Sequence, residues 1–241
     1  MSSYNSLAKW YDRLTKDVPY REYVSFYENV IAATGEDIKL VLDLCCGTGS
    51  ISYEMSSRGY DMISCDSSPE MLAEAQRKCS MLDRSPLFIC QDAAELDLFG
   101  TVDAAVCALD SINYIPRDSI SALLNRLSLF IRPGGIFIFD VKTPELLKSA
   151  DGPTYIDEDD SLFCVWRADW IESEQCLVYG MDIFEKKRDL WSRSKEEHVE
   201  FAYENEHLKN LLTDNSFEFI REVGDTPFGG SGRVFMIFRR L

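Results

Sequence analysis

The sequence "LDLCCGTGS", residues 42–50, joins a short apolar run to a tight turn that contains Gly47 and Gly49. Between residues 39 and 141, short apolar runs alternate with helical patterns, as in a parallel sheet flanked by helices. Ligands of such sheets bind at the carboxyl ends of the strands, where a glycine turn lets backbone amides approach them closely. The pattern therefore predicts a ligand pocket at this turn.

Two phosphate-binding interpretations of the turn fail on their own motifs. A dinucleotide fold needs G-x-G-x-x-G, and Cys45, Ser50 or Ser52 stands where one register or the other needs glycine. A P-loop needs Gly-Lys-Ser or Gly-Lys-Thr at its second glycine, whereas Ser50 directly follows Gly49. The turn must serve another kind of ligand.

The alternating region contains five predicted strands, at residues 39–45, 61–66, 86–91, 102–108 and 136–141. A helix follows the second strand in "SSPEMLAEAQRK", residues 67–78, with Ser67 or Ser68 as its N-cap and Met71 on its apolar face. Another helix is expected from Ile120 after an Asp118 cap, with "RPGG" at 132–135 ending it.

Other elements flank this region. An amphipathic helix at 20–34 is expected to cover the sheet edge or the pocket mouth. Strand-like segments at 162–171, 176–186 and 196–203 predict an antiparallel meander, and the acidic "DEDD" at 157–160 is interpreted as a solvated turn. A helix near 205–213 and two closing runs are expected after the meander, the runs at 217–223 and 233–240.

The segment from Val41 to Gly49 resembles the first motif of the class I S-adenosylmethionine-dependent methyltransferases. That motif is an apolar strand, an acid, here Asp43, and a G-x-G-x-G-like turn in which Cys45 stands where the family often has Gly or Ala. The order of the later features strengthens the resemblance, because Asp66 ends the second strand, "CQDAAEL" ends the third, and "CALDSINYI" ends the fourth.

The resemblance implies an α/β fold: a seven-stranded, mostly parallel sheet with helices on both faces and a terminal antiparallel hairpin, plus an inserted antiparallel β lid. The expected organisation is an N-terminal helical cap at 1–35, a cofactor-binding methyltransferase domain at 36–150 and 204–241, and the lid, a substrate subdomain, at 151–203. The expected cofactor is S-adenosyl-L-methionine, which leaves as S-adenosyl-L-homocysteine.

Cofactor-binding roles follow from the resemblance as well. Asp66 would accept both ribose hydroxyls, Asp92 would accept from the adenine amino group, and Ala93 would offer its backbone amide to the ring. Tyr11, in "SLAKWYDRL" at 6–14, would reach over the cofactor, although packing of an amphipathic first helix explains it equally well. The remaining expected cofactor-binding residues are Asp43, Cys45, Gly47, Gly49, Ser67, Met71 and Ala108.

Composition limits the partners. The chain has 241 residues and a formal net charge of -16, which repels a polyanion and disfavours DNA. It has no apolar run near 18 residues and no leader pattern, so we expect a cytoplasmic protein without a membrane partner, as a monomer or homodimer. None of the eight cysteines forms a C-x-x-C pair, which favours reduced core thiols and no metal site.

The expected reaction is methyl transfer by in-line displacement to a small-molecule acceptor, which requires positioning more than an elaborate catalytic group. Its alternatives are methylation of a protein or tRNA, and a catalytically silent cofactor-binding regulator. Catalytic residues stay unassigned: Tyr11, Asp110 and Asn113 are candidates, and the last two could instead cap a helix or loop.

Other residues on the acceptor side also have two interpretations. Ser111 and Tyr114 could contact an acceptor or cap the following segment. Trp166 and Trp170 share a strand face that could wall a substrate or simply pack. His198 could be a general base or a structural residue.

Overall fold

The computed structural model describes residues 7–224 and 232–241. Its strands, in chain order, are β1 (Leu40–Leu44), β2 (Asp61–Asp66), β3 (Leu87–Cys90), β4 (Val102–Cys107), β5 (Ile131–Lys142), β6 (Thr154–Glu158), β7 (Leu162–Ile171), β8 (Cys176–Lys187), β9 (Leu190–Phe201), β10 (Phe217–Gly224) and β11 (Arg233–Arg240). Its α-helices are α1 (Ala8–Leu14), α2 (Tyr20–Thr34), α3 (Ser50–Ser57), α4 (Pro69–Cys79), α5 (Ile120–Phe130), α6 (Pro144–Ser149) and α7 (Asn205–Asp214).

The main sheet has seven strands in the order β10-β11-β5-β4-β1-β2-β3. β1 to β5 pair in parallel, whereas β11 runs antiparallel to both β5 and β10. The predicted α/β sheet with a terminal antiparallel hairpin is confirmed.

Helices cover both faces of this sheet, because each central strand buries side chains in two directions. Val41 of β1 packs in one apolar cluster with residues of α2 and α3. Leu42 and Leu44 pack in the opposite cluster with residues of α5 and α7. A parallel strand buried on both faces needs such a continuous apolar run.

A second sheet, β6-β7-β8-β9, is antiparallel throughout and lies between α6 and α7 in the chain. The predicted meander is confirmed, but the interpretation of "DEDD" as a simple turn is wrong for its first half. Asp157 and Glu158 belong to β6, where Asp157 accepts a hydrogen bond from Trp166 Nε1 at 3.0 Å. Asp159 makes the turn, since its Oδ1 accepts from the backbone N–H of Leu162 at 3.1 Å.

Helix ends differ from expectation at α5. Ser119, and not Asp118, is the N-cap residue, and neither side chain caps the helix. The RPGG segment, predicted to end the helix, is itself part of β5, which begins at Ile131. By contrast, Ser68 caps α4 as predicted, its Oγ accepting from the Met71 N–H at 3.2 Å. The expected helix at 20–34 is α2, which ends at Gly35 with φ +72°.

Candidate functional site

The turn after β1 is built from residues with positive φ. Cys45 has φ +58°, Gly47 +53° and Gly49 +73°, a region that glycine adopts without steric cost. A Cβ on Gly49 would lie 2.8 Å from Ala75 Cβ, so this glycine is required where the turn packs on α4. A Cβ on Gly47 would meet no atom within 4 Å. The backbone at Gly47 is therefore the part of the turn that a ligand can approach.

Asp66 joins the turn to the end of β2. Its Oδ2 accepts the backbone N–H of Gly47 at 2.8 Å, and its Oδ1 accepts that of Ser68 at 2.9 Å. Burial raises the pKa of Asp66, and these backbone donors oppose the rise. The carboxylate thus fixes the relative position of two neighbouring strand ends.

Asp43 lies beneath the turn and is only 1% exposed. Its Oδ2 accepts from the Ser52 hydroxyl, which lies 2.7 Å from the Ser64 hydroxyl. Burial raises the pKa of Asp43 to about 7, because these neutral partners compensate little of the lost hydration. A positively charged ligand group nearby would stabilise its ionised form.

A cleft at this turn brings together five of the predicted cofactor-binding residues: Tyr11, Asp43, Cys45, Gly47 and Ala108. Other residues that the motifs do not mark also line the cleft: Tyr20, Cys46, Thr48, Ser50, Ile51 and Leu109. Ser111, expected on the acceptor side, lines the cleft too. Burial raises the pKa of Tyr11, so its hydroxyl keeps its proton and can donate a hydrogen bond.

Helix α1 is held over the glycine turn by a polar network. The Asp12 carboxylate accepts hydrogen bonds from the Thr48 hydroxyl and, at 2.9 Å, from Lys78 Nζ. Lys78 Nζ also donates to Ser50 Oγ at 2.6 Å. The cleft has a volume of about 40 Å³, which suits a few water molecules and not a nucleoside. Binding of a nucleoside therefore requires α1 and Tyr11 to move.

The residues expected around the ribose and adenine lie along the same end of the sheet. Ser67 is exposed in the loop after β2, and Met71 is buried in α4. Asp92 is exposed after β3 and accepts the Ala94 N–H at 2.8 Å, while Ala93 is buried in the following 3-10 turn.

Two of the candidate catalytic residues, Asp110 and Asn113, do not line the cleft, although Leu109 and Ser111 on either side of Asp110 do. The Asp110 carboxylate forms ion pairs with Lys142, at 2.9 Å, and Arg233, at 2.5 Å. Burial opposes ionisation of Asp110, but these two cations outweigh it and lower its pKa. Asn113, fully buried, accepts the Lys142 N–H at 2.9 Å and donates to the Phe201 carbonyl at 2.9 Å. Asn113 thereby ties β9 to β5.

The second sheet presents aromatic rings towards this region. The Tyr179 ring centroid lies 6.3 Å from that of Trp166 and 5.4 Å from that of His198. Trp166 and Tyr179 also pack against an apolar cluster that α1 contacts through Leu7, Trp10, Tyr11 and Leu14. Trp170, on the same strand face as Trp166, packs in a separate cluster with Leu147 and Leu177.

Two buried acids were missed by the sequence analysis. Asp140 accepts the backbone N–H groups of Leu109 and Asp110, each at 2.9 Å, and so fixes the turn after β4. Glu200 is 1% exposed and binds Lys142 Nζ. In the sequence, Asp140 is marked only as a single acid inside the apolar run "IFIFDV". Glu200 is marked only by its position two residues after His198, which places both side chains on one face of a strand.

The described segments, 7–224 and 232–241, contain no helix long and apolar enough to span a bilayer.

Once α1 has moved, the residues of the cleft can hold S-adenosylmethionine, on three observations: open backbone at Gly47, the Gly47–Asp66 unit at adjoining strand ends, and Asp43, whose ionisation a sulfonium or ammonium group would favour. The expected holders of the cofactor are therefore present at one end of the sheet.

Comparison with known proteins finds a methyltransferase domain in this chain. A model described as "Methyltransferase domain" matches residues 41–135. "Putative methyltransferase YqeM" of Bacillus subtilis (strain 168) is 28% identical over 96% of this chain and 95% of its own length.

Solved structures agree with this match. An S-adenosylmethionine-dependent methyltransferase from Clostridium acetobutylicum ATCC 824 is 26% identical, with a TM-score of 0.86 over 98% of each chain. CalS10, an amino pentose methyltransferase from Micromonospora echinaspora solved with bound S-adenosylmethionine, shares the fold at 17% identity, with a TM-score of 0.77 over 96% of each chain. From the glycine turn, the sheet order and these matches together, we conclude that the chain has the fold of the class I S-adenosylmethionine-dependent methyltransferases, contains a methyltransferase domain at residues 41–135 and is an enzyme that uses this methyl donor.

Proposed function

We propose that the enzyme methylates a small molecule held between the cofactor cleft and the second sheet, residues 151–203, which acts as a lid. The observation that carries the proposal is an apolar cluster that the second sheet shares with α1, the helix at the cleft. Leu162, Cys164, Met181 and Ile183 of the second sheet pack with α1, and Tyr11 of α1 lines the cleft. Closure of α1 and the lid would enclose an acceptor and exclude water, as an in-line displacement favours.

Within this proposal the predicted site residues take their expected roles. Asp66 binds the ribose hydroxyls, Asp92 and Ala93 bind the adenine, and Gly47 lies against the donor's methionine portion. Tyr11 separates the donor from the acceptor side. Asn113 and Asp110 position the lid and the turn after β4, because their polar atoms already bind Lys142, Arg233 and backbone groups.

Charge and fold both favour a small acceptor over a macromolecule. The net charge of -16 opposes the binding of tRNA. CalS10 is described as an amino pentose methyltransferase, so a chain of this fold can serve a small acceptor. Methylation of a protein and a silent cofactor-binding role are the competing functions.

A labelled methyl screen tests the proposal. The enzyme and donor with a radiolabelled methyl group are incubated with cell extract divided into small-molecule, RNA and protein fractions. We expect label in the small-molecule fraction. Label confined to RNA or protein contradicts the small-molecule acceptor, and bound donor with no label in any fraction supports the silent role.

A further inference from the structure

Three buried carboxylates and two partly buried cations form a cluster where the second sheet meets the main sheet. Lys142 Nζ contacts Glu200 Oε2 at 2.8 Å and Asp110 Oδ2 at 2.9 Å. Arg233 binds both Asp110 and Asp140. Three carboxylates face two cations, so the cluster carries one surplus negative charge when all five groups are ionised. Uptake of one proton would make it neutral.

Glu200 is the member of this cluster that is linked to the lid. The Tyr114 hydroxyl donates to Glu200 Oε1 at 2.9 Å and also contacts the Tyr179 hydroxyl. Tyr179 packs against the same apolar cluster as Tyr11, which lines the cofactor cleft. A chain of hydroxyl groups therefore runs from the lid face beside α1 to a buried carboxylate.

The surroundings of the cluster favour protonation of Glu200 rather than of Asp110. Burial and the charge of Asp110 raise the pKa of Glu200, against the effect of Lys142, whereas Asp110 has two cations beside it. The titratable and charged groups around Glu200 come from five places: His198 on β9, Tyr179 on β8, Asp140 and Lys142 on β5, Asp110 and Tyr114 after β4, and Arg233 on β11.

We propose that Glu200 receives the proton that an N–H or O–H acceptor loses on methylation, through Tyr179 and Tyr114. This inference rests on the proposed small-molecule reaction. S-adenosylmethionine supplies a methyl group whose bond to sulfur breaks, the electron pair staying on sulfur, as the acceptor lone pair bonds to the methyl carbon. The acceptor proton moves to the Tyr179 oxygen, the Tyr179 proton to Tyr114, and the Tyr114 proton to Glu200 Oε1. The cluster then changes from one surplus negative charge to none.

In this scheme Tyr179 is the catalytic group, and Tyr114 and Glu200 are positioning residues that act through it. A purely structural Glu200 would stay ionised, as half of an ion pair with Lys142. A proton acceptor must instead be ionised at rest and able to bind a proton above the usual range of a glutamate.

Infrared titration of the whole enzyme distinguishes these roles without any acceptor. The carbonyl band of protonated carboxyl groups is followed with pH for the wild type, Glu200→Gln and the control Glu197→Gln, an exposed neighbour on β9. Asp43, whose pKa is about 7, contributes a band that all three proteins keep. Besides it, we expect a band that disappears as pH rises above the usual glutamate range, is absent in Glu200→Gln and is kept in the control. Spectra of Glu200→Gln and wild type that coincide at every pH overturn the proposal, as does a band that never disappears.

Tyr114→Phe provides a second variant that keeps the Glu200–Lys142 ion pair. Loss of the Tyr114 donor should raise the pH at which the Glu200 band disappears, because that hydrogen bond favours the ionised carboxylate. An unchanged titration overturns the Tyr114 link.

The rate of methyl transfer to the extract fraction that takes up label in the screen is then measured against pH. Glu200→Gln should lower the rate on the order of 10²-fold and remove the fall in rate at low pH. A rate and pH profile equal to wild type overturn the proposal. Label in no fraction contradicts the proposed function instead, and the infrared result still decides whether Glu200 takes up a proton.

Discussion

The backbone N–H of Gly47 donates to Oδ2 of Asp66 at 2.8 Å, so the turn after β1 and the acid that ends β2 form one unit. The unit joins two neighbouring parallel strands at the end of the sheet where such folds bind ligands. Changes to the turn should therefore affect cofactor binding and stability separately, according to which atoms each residue faces.

Gly47→Ala and Gly49→Ala should show that separation. Alanine at Gly47 meets open space and should cost only about 1 kcal/mol of stability for its positive φ, but should weaken S-adenosylmethionine binding. Alanine at Gly49 adds a clash with Ala75 and should cost about 2 to 4 kcal/mol in all. Urea unfolding and calorimetry measure the two effects. Equal losses of stability would show that the two glycines do not differ in this way.

Binding of the donor should tighten as pH rises through about 7. Below that pH, Asp43 in the free enzyme holds a proton that the positively charged donor must displace. Calorimetry at pH 6 and pH 8 checks this, with S-adenosylhomocysteine, which lacks the sulfonium charge, expected to depend less on pH. Asp43→Asn should remove the pH dependence, and its persistence in that variant would assign the titration to another group.

Donor affinity should rise with pH through Asp43, whereas the free energy of unfolding should fall with pH through the same residue. Its pKa is about 7 when folded against 3.8 unfolded, so the folded state binds more protons between these values. The wild type should therefore lose a few kcal/mol, relative to Asp43→Asn, as pH rises from about 4 to about 7. Urea unfolding at several pH values measures the difference. A difference that is constant with pH contradicts the assignment.

The hydrogen bonds between α1 and the glycine turn should limit the rates at which the donor binds and dissociates. Asp12→Asn weakens the contacts to Lys78 and Thr48, so association and dissociation of the donor should both accelerate. Stopped-flow fluorescence measures both rates, with Asp17→Asn, an exposed acid after α1, as the control. Rates unchanged by Asp12→Asn would show that α1 does not need to move.

Asn113→Ala should destabilise the junction between β5 and β9 by about 1 to 3 kcal/mol, because it leaves the partly buried Lys142 N–H and Phe201 carbonyl without this partner. Urea unfolding measures the change, and Asn210→Ala, at an exposed position of α7, is the control. A loss of stability no greater than that of the control would show that Asn113 does not stabilise the junction.

The sequence was enough to predict the main sheet, because its central strands β1, β4 and β5 bury distinct apolar runs and the motif acids mark the strand ends. The hairpin of β10 and β11 and three strands of the second sheet followed from the same periodicity. Strand β6 was missed because all of its residues, including Asp157 and Glu158, are exposed, so no apolar alternation marks it.

The site was harder to predict where contacts join distant segments. Asp66 and Gly47 belong to one motif, but the α1 network and the Glu200 cluster depend on how separate elements pack. Lys142 and Glu200 are 58 residues apart, and Asp12 and Lys78 are 66 apart. Nothing in the local sequence of either pair specifies its partner.

The central claim is that the donor's ribose binds the carboxylate at the end of β2. Calorimetric titration of S-adenosylmethionine into the wild type, Asp66→Ala and the exposed-site control Asp83→Ala tests it most directly. We predict binding of one donor per chain to the wild type and control, and affinity weakened by about 1.5 to 3 kcal/mol in Asp66→Ala. Failure of the wild type to bind the donor, or equal affinity in Asp66→Ala, would contradict the account.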